Sequence, residues 1–117
     1  MTTQEVANRF WDLVRQGKNA EAQQELYADN VECIEMPNAP MPGVMGKQAV
    51  AERLQQWYAS VEEVHDSKVT EPLVMGNHFS MGMAMDLTMK GAGRNKFEEV
   101  CLYQVEDGKI VKERYFY

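Results

Sequence analysis

The spacing of hydrophobic residues follows a helical period in three parts of the chain. Near the start, apolar residues recur every three or four positions, and Thr2 to Glu5 has the capping-box spacing at which helices begin. Gly17 is typical of the residue that follows a helix. A second, shorter helix is expected from a cap at Asn19 through Tyr27. The segment from Lys47 to about Ser60 repeats the helical spacing and predicts a third helix.

Other segments alternate between apolar and polar residues, which is typical of strands. Val31 to Met36 alternates, with Cys33 and Glu35 on the same face. Two further strands are predicted, at Lys68 to Met75 and at Phe79 to Met89, where every odd position of the second is apolar. Methionine dominates those positions and either packs the core or lines an adaptable ligand site.

Irregular backbone is predicted on both sides of the first strand. Tyr27 to Asn30 is expected to turn the chain into that strand. Met36 to Gly46 contains three prolines and two glycines, which keep the backbone irregular and fairly stiff. Because this second segment also carries apolar residues, we expect a flap over the end of the strand.

The last part of the chain, Phe97 to Tyr117, predicts an antiparallel hairpin around Asp107-Gly108. A two-residue loop would place Cys101 opposite Arg114, whereas a three-residue loop would place it opposite Glu113. We prefer the three-residue loop, because it gives one aromatic face with a few acids, as suits a pocket wall. That face would carry Phe97, Glu99, Cys101, Tyr103, Val111, Glu113, Tyr115 and Tyr117.

Together these elements predict an α+β fold in a single domain, residues 1–117. Three N-terminal helices would pack on a strongly curved antiparallel sheet to form a cone with an internal pocket.

Charge and composition exclude several functions. Eighteen acidic against twelve basic residues give a formal net charge of −6, which disfavours nucleic acid as a partner. No apolar run is long enough to span a membrane, and the N-terminal residues lack the features of a signal peptide, so we expect a cytoplasmic protein. Cys33 and Cys101 are expected to be reduced. Neither His65 nor His78 has ligand spacing, so we expect no metal and no cofactor.

The order of these elements resembles the SnoaL-like branch of the nuclear-transport-factor-2-like superfamily, which includes polyketide cyclases and ketosteroid isomerases. The resemblance covers essentially the whole chain. It is carried by three motifs: YADNVECIEMP, GKQAVAERLQQWY and FEEVCLYQVEDGKIVKERYFY. The fold hosts many functions, including some that are not enzymatic.

The resemblance to ketosteroid isomerases assigns three positions. The general-base carboxylate falls on Glu35, the protonated acid of the oxyanion hole falls on Cys101, and the oxyanion tyrosine falls on Phe10. The base position therefore keeps a carboxylate, whereas a thiol is a weak donor and phenylalanine is none. Steroid isomerisation by that mechanism is not expected.

Glu35 is the candidate proton carrier, because burial without a partner would raise the pKa of a carboxyl toward neutrality. The alternative is a solvated acid at the end of a strand. Glu99 and Glu113 form a second carboxylate pair or are solvated at the mouth, and Cys101 is a nucleophile or simply a packed thiol. The candidate ligand-binding residues are Phe10, Met36, Met41, Met45, Trp57, Glu99, Cys101, Tyr103, Glu113, Tyr115 and Tyr117.

Two functions fit these features. One is a cofactor-free isomerase, cyclase or lyase that acts on an apolar, ring-bearing metabolite through Glu35. The other is a non-catalytic module that binds a small molecule or another protein. A homodimer is expected through the outer face of the sheet, which would carry Val100, Leu102, Ile110 and Phe116.

Overall fold

The computed structural model describes all residues from Met1 to Tyr117 and confirms the α+β class. Three helices pack against one mostly antiparallel, open sheet. In chain order, the elements are α1 (Thr3–Val14), α2 (Asn19–Leu26), β1 (Tyr27–Ile34), β2 (Val44–Met45), α3 (Lys47–Ser60), β3 (Val61–Val69), β4 (Leu73–Met75), β5 (His78–Met89), β6 (Gly93–Glu106) and β7 (Lys109–Phe116).

The strands do not follow a simple meander. Their order is β2-β1-β7-β6-β5-β3, with β4 paired to β5 beside β3, and the pairing of β1 with β7 is parallel. The first strand of the chain therefore lies next to the last one. This crossover brings the end of β1 and the end of β7 to the same side of the molecule, where the cavity lies.

The ends of the first two helices test the helix boundaries predicted from the sequence. Thr2 and Glu5 form the predicted capping box, with Thr2 Oγ1 accepting from Glu5 N at 3.1 Å. The cap predicted for α2 is wrong, because Asn19 is its first helical residue and Lys18 the flanking one. Helix α2 also ends at Leu26, and Tyr27 already belongs to β1.

Two predicted boundaries are wrong because contacts distant in sequence decide them. The expected turn from Tyr27 to Asn30 belongs to β1, whose pairing with β7 is irregular there. The expected strand from Lys68 to Met75 is interrupted between β3 and β4. Thr70 donates its N–H to Gly82 O at 2.9 Å and accepts from Gly82 N through Oγ1 at 2.8 Å. The first bond continues the ladder, but the second takes the place of a bond to the carbonyl of Thr70, and Pro72 has no N–H to donate, so regular pairing ends here.

The C-terminal hairpin has a register that differs from both alternatives. Its loop has two residues, Asp107-Gly108, both with positive φ (50° and 75°), so the prediction of a three-residue loop is wrong. An irregularity next to the loop then shifts the pairing, and Cys101 lies opposite Tyr115 rather than Glu113 or Arg114. Beyond this irregularity, odd-numbered residues of β6 pair with odd-numbered residues of β7. The face predicted to carry the aromatic and acidic residues is therefore preserved.

Candidate functional site

The helices and the sheet enclose a cavity of about 310 Å³ whose lining is mostly hydrophobic. The alternation of β6 and the irregular hairpin together turn the acidic and aromatic positions of the last two strands toward it. Most of the predicted site residues line this cavity: Phe10, Glu35, Met41, Trp57, Glu99, Tyr103, Glu113, Tyr115 and Tyr117.

Three of the predicted residues lie outside the cavity. Met45, in β2, is 65% exposed, and the Sδ of Met36 instead accepts from Tyr117 N at 3.3 Å. Cys101 is fully buried, with its Sγ 3.7 Å from Glu99 Oε1. Burial raises the pKa of the Cys101 thiol far above its ordinary value, which suits a packed thiol and not a nucleophile.

The predicted flap closes one side of the cavity. Its Pro40 and Met41 contribute to the lining. The segment packs so closely on β1 that a Cβ at Gly43 would lie 2.5 Å from the carbonyl oxygen of Cys33. Glycine is therefore required where the flap crosses the strand, and β2 then pairs with β1.

At one end of the cavity, Glu35 follows β1 and forms an ion pair with Arg53 of α3. Glu35 Oε2 accepts from Arg53 Nη2 at 2.8 Å, and the two side chains are 8% and 18% exposed. Tyr117 Oη lies 3.4 Å from the same oxygen. The expectation of a buried acid without a charged partner is therefore wrong, because a guanidinium compensates the carboxylate.

A second carboxylate, Glu113, lies deeper and has no guanidinium at ion-pair distance. It is 1% exposed, so the alternative that it is solvated at the mouth is wrong. Tyr27 Oη donates a hydrogen bond to Glu113 Oε2. Burial raises the pKa of the Glu113 carboxyl, while hydrogen bonds from Tyr27, Cys33 and Tyr115 partly lower it. Burial likewise raises the pKa of Tyr27 and Tyr115, so both hydroxyls remain protonated donors.

Glu99 is the third of the predicted acids, and it is half-buried in β6. Burial is the main cause that raises the pKa of its carboxyl, and the nearby acids Glu35 and Glu113 raise it further. Arg53 is the single basic residue in the cavity lining and is already paired with Glu35.

Sequence reasoning missed Arg53 and Tyr27. Arg53 could have been found, because it lies three residues after Val50 and four before Trp57, on the cavity side of α3. The sequence pattern predicts a turn at Tyr27, and its position opposite Ile110 depends on a strand pairing that is distant in sequence.

A family model for the SnoaL-like domain matches residues 1–117. The chain belongs to the SnoaL-like family. The resemblance is thereby confirmed. A candidate SnoaL-like polyketide cyclase from Mesorhizobium loti is 38% identical, with 100% of each chain covered and a TM-score of 0.91.

More distant structures share the fold of this SnoaL-like protein. A hypothetical protein with a ketosteroid isomerase-like fold from Catenulispora acidiphila, solved with trimethylamine, has 18% identity and a TM-score of 0.74 over 95% of this chain and 84% of its own. A candidate polyketide cyclase from Pseudomonas putida has 16% identity and a TM-score of 0.71 over 100% and 92%. No curated protein matches the chain.

Two further findings concern metal sites and membrane-spanning helices. No group of three or more His, Cys, Asp or Glu side chains is arranged to hold a metal ion. None of the three helices combines the length and the apolar character that crossing a membrane requires.

Proposed function

We propose that this SnoaL-like protein binds a small, largely apolar, ring-bearing molecule in its cavity and moves a proton on it without a cofactor, with Glu35 as proton carrier. The observation that carries this proposal is a pair of carboxylates, Glu35 and Glu113, in one enclosed aromatic cavity but in different environments. Pairs of acids held in contrasting environments commonly divide the roles of base and acid.

Glu35 suits the role of the base. Its oxygen is oriented by Arg53, and the guanidinium compensates its charge in a site that is shielded from water. Glu113 suits the role of the acid, because burial raises its pKa and the hydroxyl of Tyr27 fixes its position. It would take over the hydrogen-bond donation that Phe10 and Cys101 cannot supply.

Exchange of carbon-bound hydrogen for deuterium tests the proposal without knowledge of the complete reaction. A thermal-shift screen with aromatic and polyketide-like ketones would first identify ligands. NMR in D₂O would then measure how fast their acidic C–H positions exchange in the presence of the protein. We expect Glu35→Gln to reduce this catalysed exchange by at least about 100-fold while ligand binding remains, since it keeps the shape and removes the titrating group.

Glu52→Gln is the matched control, because Glu52 is an exposed residue one position from Arg53 on α3. We expect it to exchange ligand hydrogen at the wild-type rate. Wild-type exchange in Glu35→Gln would remove Glu35 as the proton carrier.

The second candidate function is a non-catalytic binding module. The replacement of both donors of the related isomerases, by Phe10 and Cys101, favours it. A structure of the same fold holds trimethylamine, so this fold accepts small organic molecules. In this case ligands would bind in the same cavity, and wild-type protein would not accelerate deuterium exchange.

We also propose a cytoplasmic homodimer that pairs through the outer face of the sheet. Val100 and Phe116 are paired opposite each other on β6 and β7 and are 51% and 45% exposed. Ile110 does not contribute, because it is fully buried in the core. Light scattering is expected to give about twice the 13.4 kDa of the chain, and a mass near that of the single chain at micromolar concentration would contradict the dimer.

A further inference from the structure

The charges in the cavity are unbalanced. Four glutamates line it, Glu35, Glu98, Glu99 and Glu113, together with Arg53 as the single base. Since Arg53 is held by Glu35 at 2.8 Å, its charge is already compensated. The hydrogen-bond partner of Glu99 is the thiol of Cys101, with Sγ 3.7 Å from Glu99 Oε1, and a thiol is a weak donor. A half-buried carboxylate thus remains in the cavity without a cation at ion-pair distance.

The surroundings of Glu99 are aromatic. Phe97 precedes it on the same face of β6, and Tyr117 lies near enough for Glu99 to raise the pKa of that phenol. Trp57 and Tyr115 line the same cavity. Aromatic faces attract cations, and the attraction grows where water is excluded. A carboxylate among aromatic rings is therefore suited to an organic ammonium group.

We propose that the ligand of this cavity carries a positive charge beside its ring system and that Glu99 selects for that charge. The proposal rests on the proposed function, because it specifies the ligand class of the same cavity. In such a complex, the ring packs against the apolar wall and the ammonium group supplies the counter-charge that Glu99 lacks. An anionic ligand is disfavoured by the surplus of glutamates.

Ligand binding is then linked to the ionisation of Glu99. Burial raises the pKa of its carboxyl, and a bound cation favours the ionised form. Affinity for a permanent cation should therefore increase as the pH rises through the raised pKa of Glu99. The other titratable or charged groups that line the cavity are Tyr27, Glu35, Arg53, Glu98, Tyr103, Glu113, Tyr115 and Tyr117, and the thiol of Cys101 contacts Glu99 from outside the lining.

Two probes of nearly equal shape but different charge distinguish the effect of charge on affinity from the effect of shape. Phenyltrimethylammonium carries a permanent positive charge, whereas tert-butylbenzene is its neutral counterpart. Calorimetry or ligand-observed NMR would measure the affinity of both probes for wild-type protein, Glu99→Gln and Glu106→Gln. The last variant is the matched control, because it removes the same charge from an exposed position on the same strand.

For wild-type protein we expect the cation to bind at least about tenfold more tightly than the neutral probe. Glu99→Gln should abolish most of this difference, together with its rise with pH, and Glu106→Gln should preserve both. Equal affinity of the two probes for wild-type protein, or an unchanged preference in Glu99→Gln, would overturn the inference while leaving cavity binding intact. Failure of folded wild-type protein to bind either probe or any compound of the ketone screen would overturn the proposed function as well.

Discussion

Glu35 and Glu113 line the same cavity, yet their carboxylates have different partners. Glu35 lies just beyond the end of β1, where a guanidinium compensates its charge. Glu113 lies within β7, where its partner is the hydroxyl of Tyr27 and its side chain is almost fully shielded from water. Identical side chains can thus be assigned to opposite proton-transfer roles by what surrounds them.

The two carboxylates are also connected. Arg53 Nη1 donates to Cys33 Sγ at 3.5 Å, and the Cys33 thiol lies near enough to Glu113 to lower the pKa of that carboxyl. Burial raises the pKa of Cys33 to about 12, so its thiol stays protonated and can act as a bridge. Substitutions at one carboxylate should therefore be felt at the other, and the following experiments compare the two.

The largest effect is expected from removing the buried carboxyl. Glu113→Ala would leave a cavity and an unpaired Tyr27 hydroxyl, and should lower the free energy of unfolding by about 3 kcal/mol. At about pH 4, where the raised pKa keeps Glu113 protonated, Glu113→Gln keeps the volume and most hydrogen bonds and should cost about 1 kcal/mol. Urea denaturation would measure both free energies of unfolding. Equal losses would mean that the volume and the hydrogen bonds that glutamine keeps contribute nothing to stability.

The ion pair should give the next largest effect. Arg53→Met leaves the carboxylate of Glu35 shielded without its cation and should lower the free energy of unfolding by about 2 kcal/mol. The double variant with Glu35→Gln should recover part of this loss, because no unpaired charge remains. A double-mutant cycle from denaturation data would measure the coupling. Additive effects would mean that the 2.8 Å contact contributes nothing to stability.

The local parts of the fold were predictable from the sequence, whereas the parts that depend on distant contacts were not. A capping box and an amphipathic repeat are encoded by neighbouring residues, so α1 and α3 begin where expected. The break at Thr70 depends on hydrogen bonds to Gly82, twelve residues away. The parallel pairing of β1 with β7 joins the two halves of the chain and leaves no local signal.

The site was predictable to a similar extent. Alternation along β6 and β7 predicted Glu99, Glu113 and Tyr115 on one face, and the irregularity beside the hairpin loop keeps them there although the predicted loop length was wrong. The partner of Glu35 could not be predicted, since it depends on how α3 packs on β1. A helical pattern shows that Arg53 lies on the inner face, but not which carboxylate it meets.

The pH dependence of stability should sharpen the comparison further. Burial raises the pKa of Glu113 above its ordinary value of 4.5, so the folded chain holds this proton more tightly than the unfolded chain. The resulting stabilisation is fully present below about pH 4.5 and is lost as the pH rises through the raised pKa. The stability of wild-type protein relative to Glu113→Gln should therefore fall with increasing pH, by about 1.4 kcal/mol per unit of pKa difference. Denaturation of both proteins from pH 4 to 8 would measure this, and a difference that is constant or grows with pH would contradict it.

The smallest effect is expected at the contact of Tyr117 with Glu35. The hydrogen bond is long, 3.4 Å between Oη and Oε2, and Tyr117 is 55% exposed, so water can replace the hydroxyl. Tyr117→Phe should therefore lower the free energy of unfolding by about 0.5 kcal/mol or less. Tyr58→Phe is the control, because Tyr58 is 42% exposed and its ring packs on Trp57, outside the carboxylate contacts. A loss above about 1 kcal/mol in Tyr117→Phe alone would mean that the phenol, and not only Arg53, holds Glu35 in place.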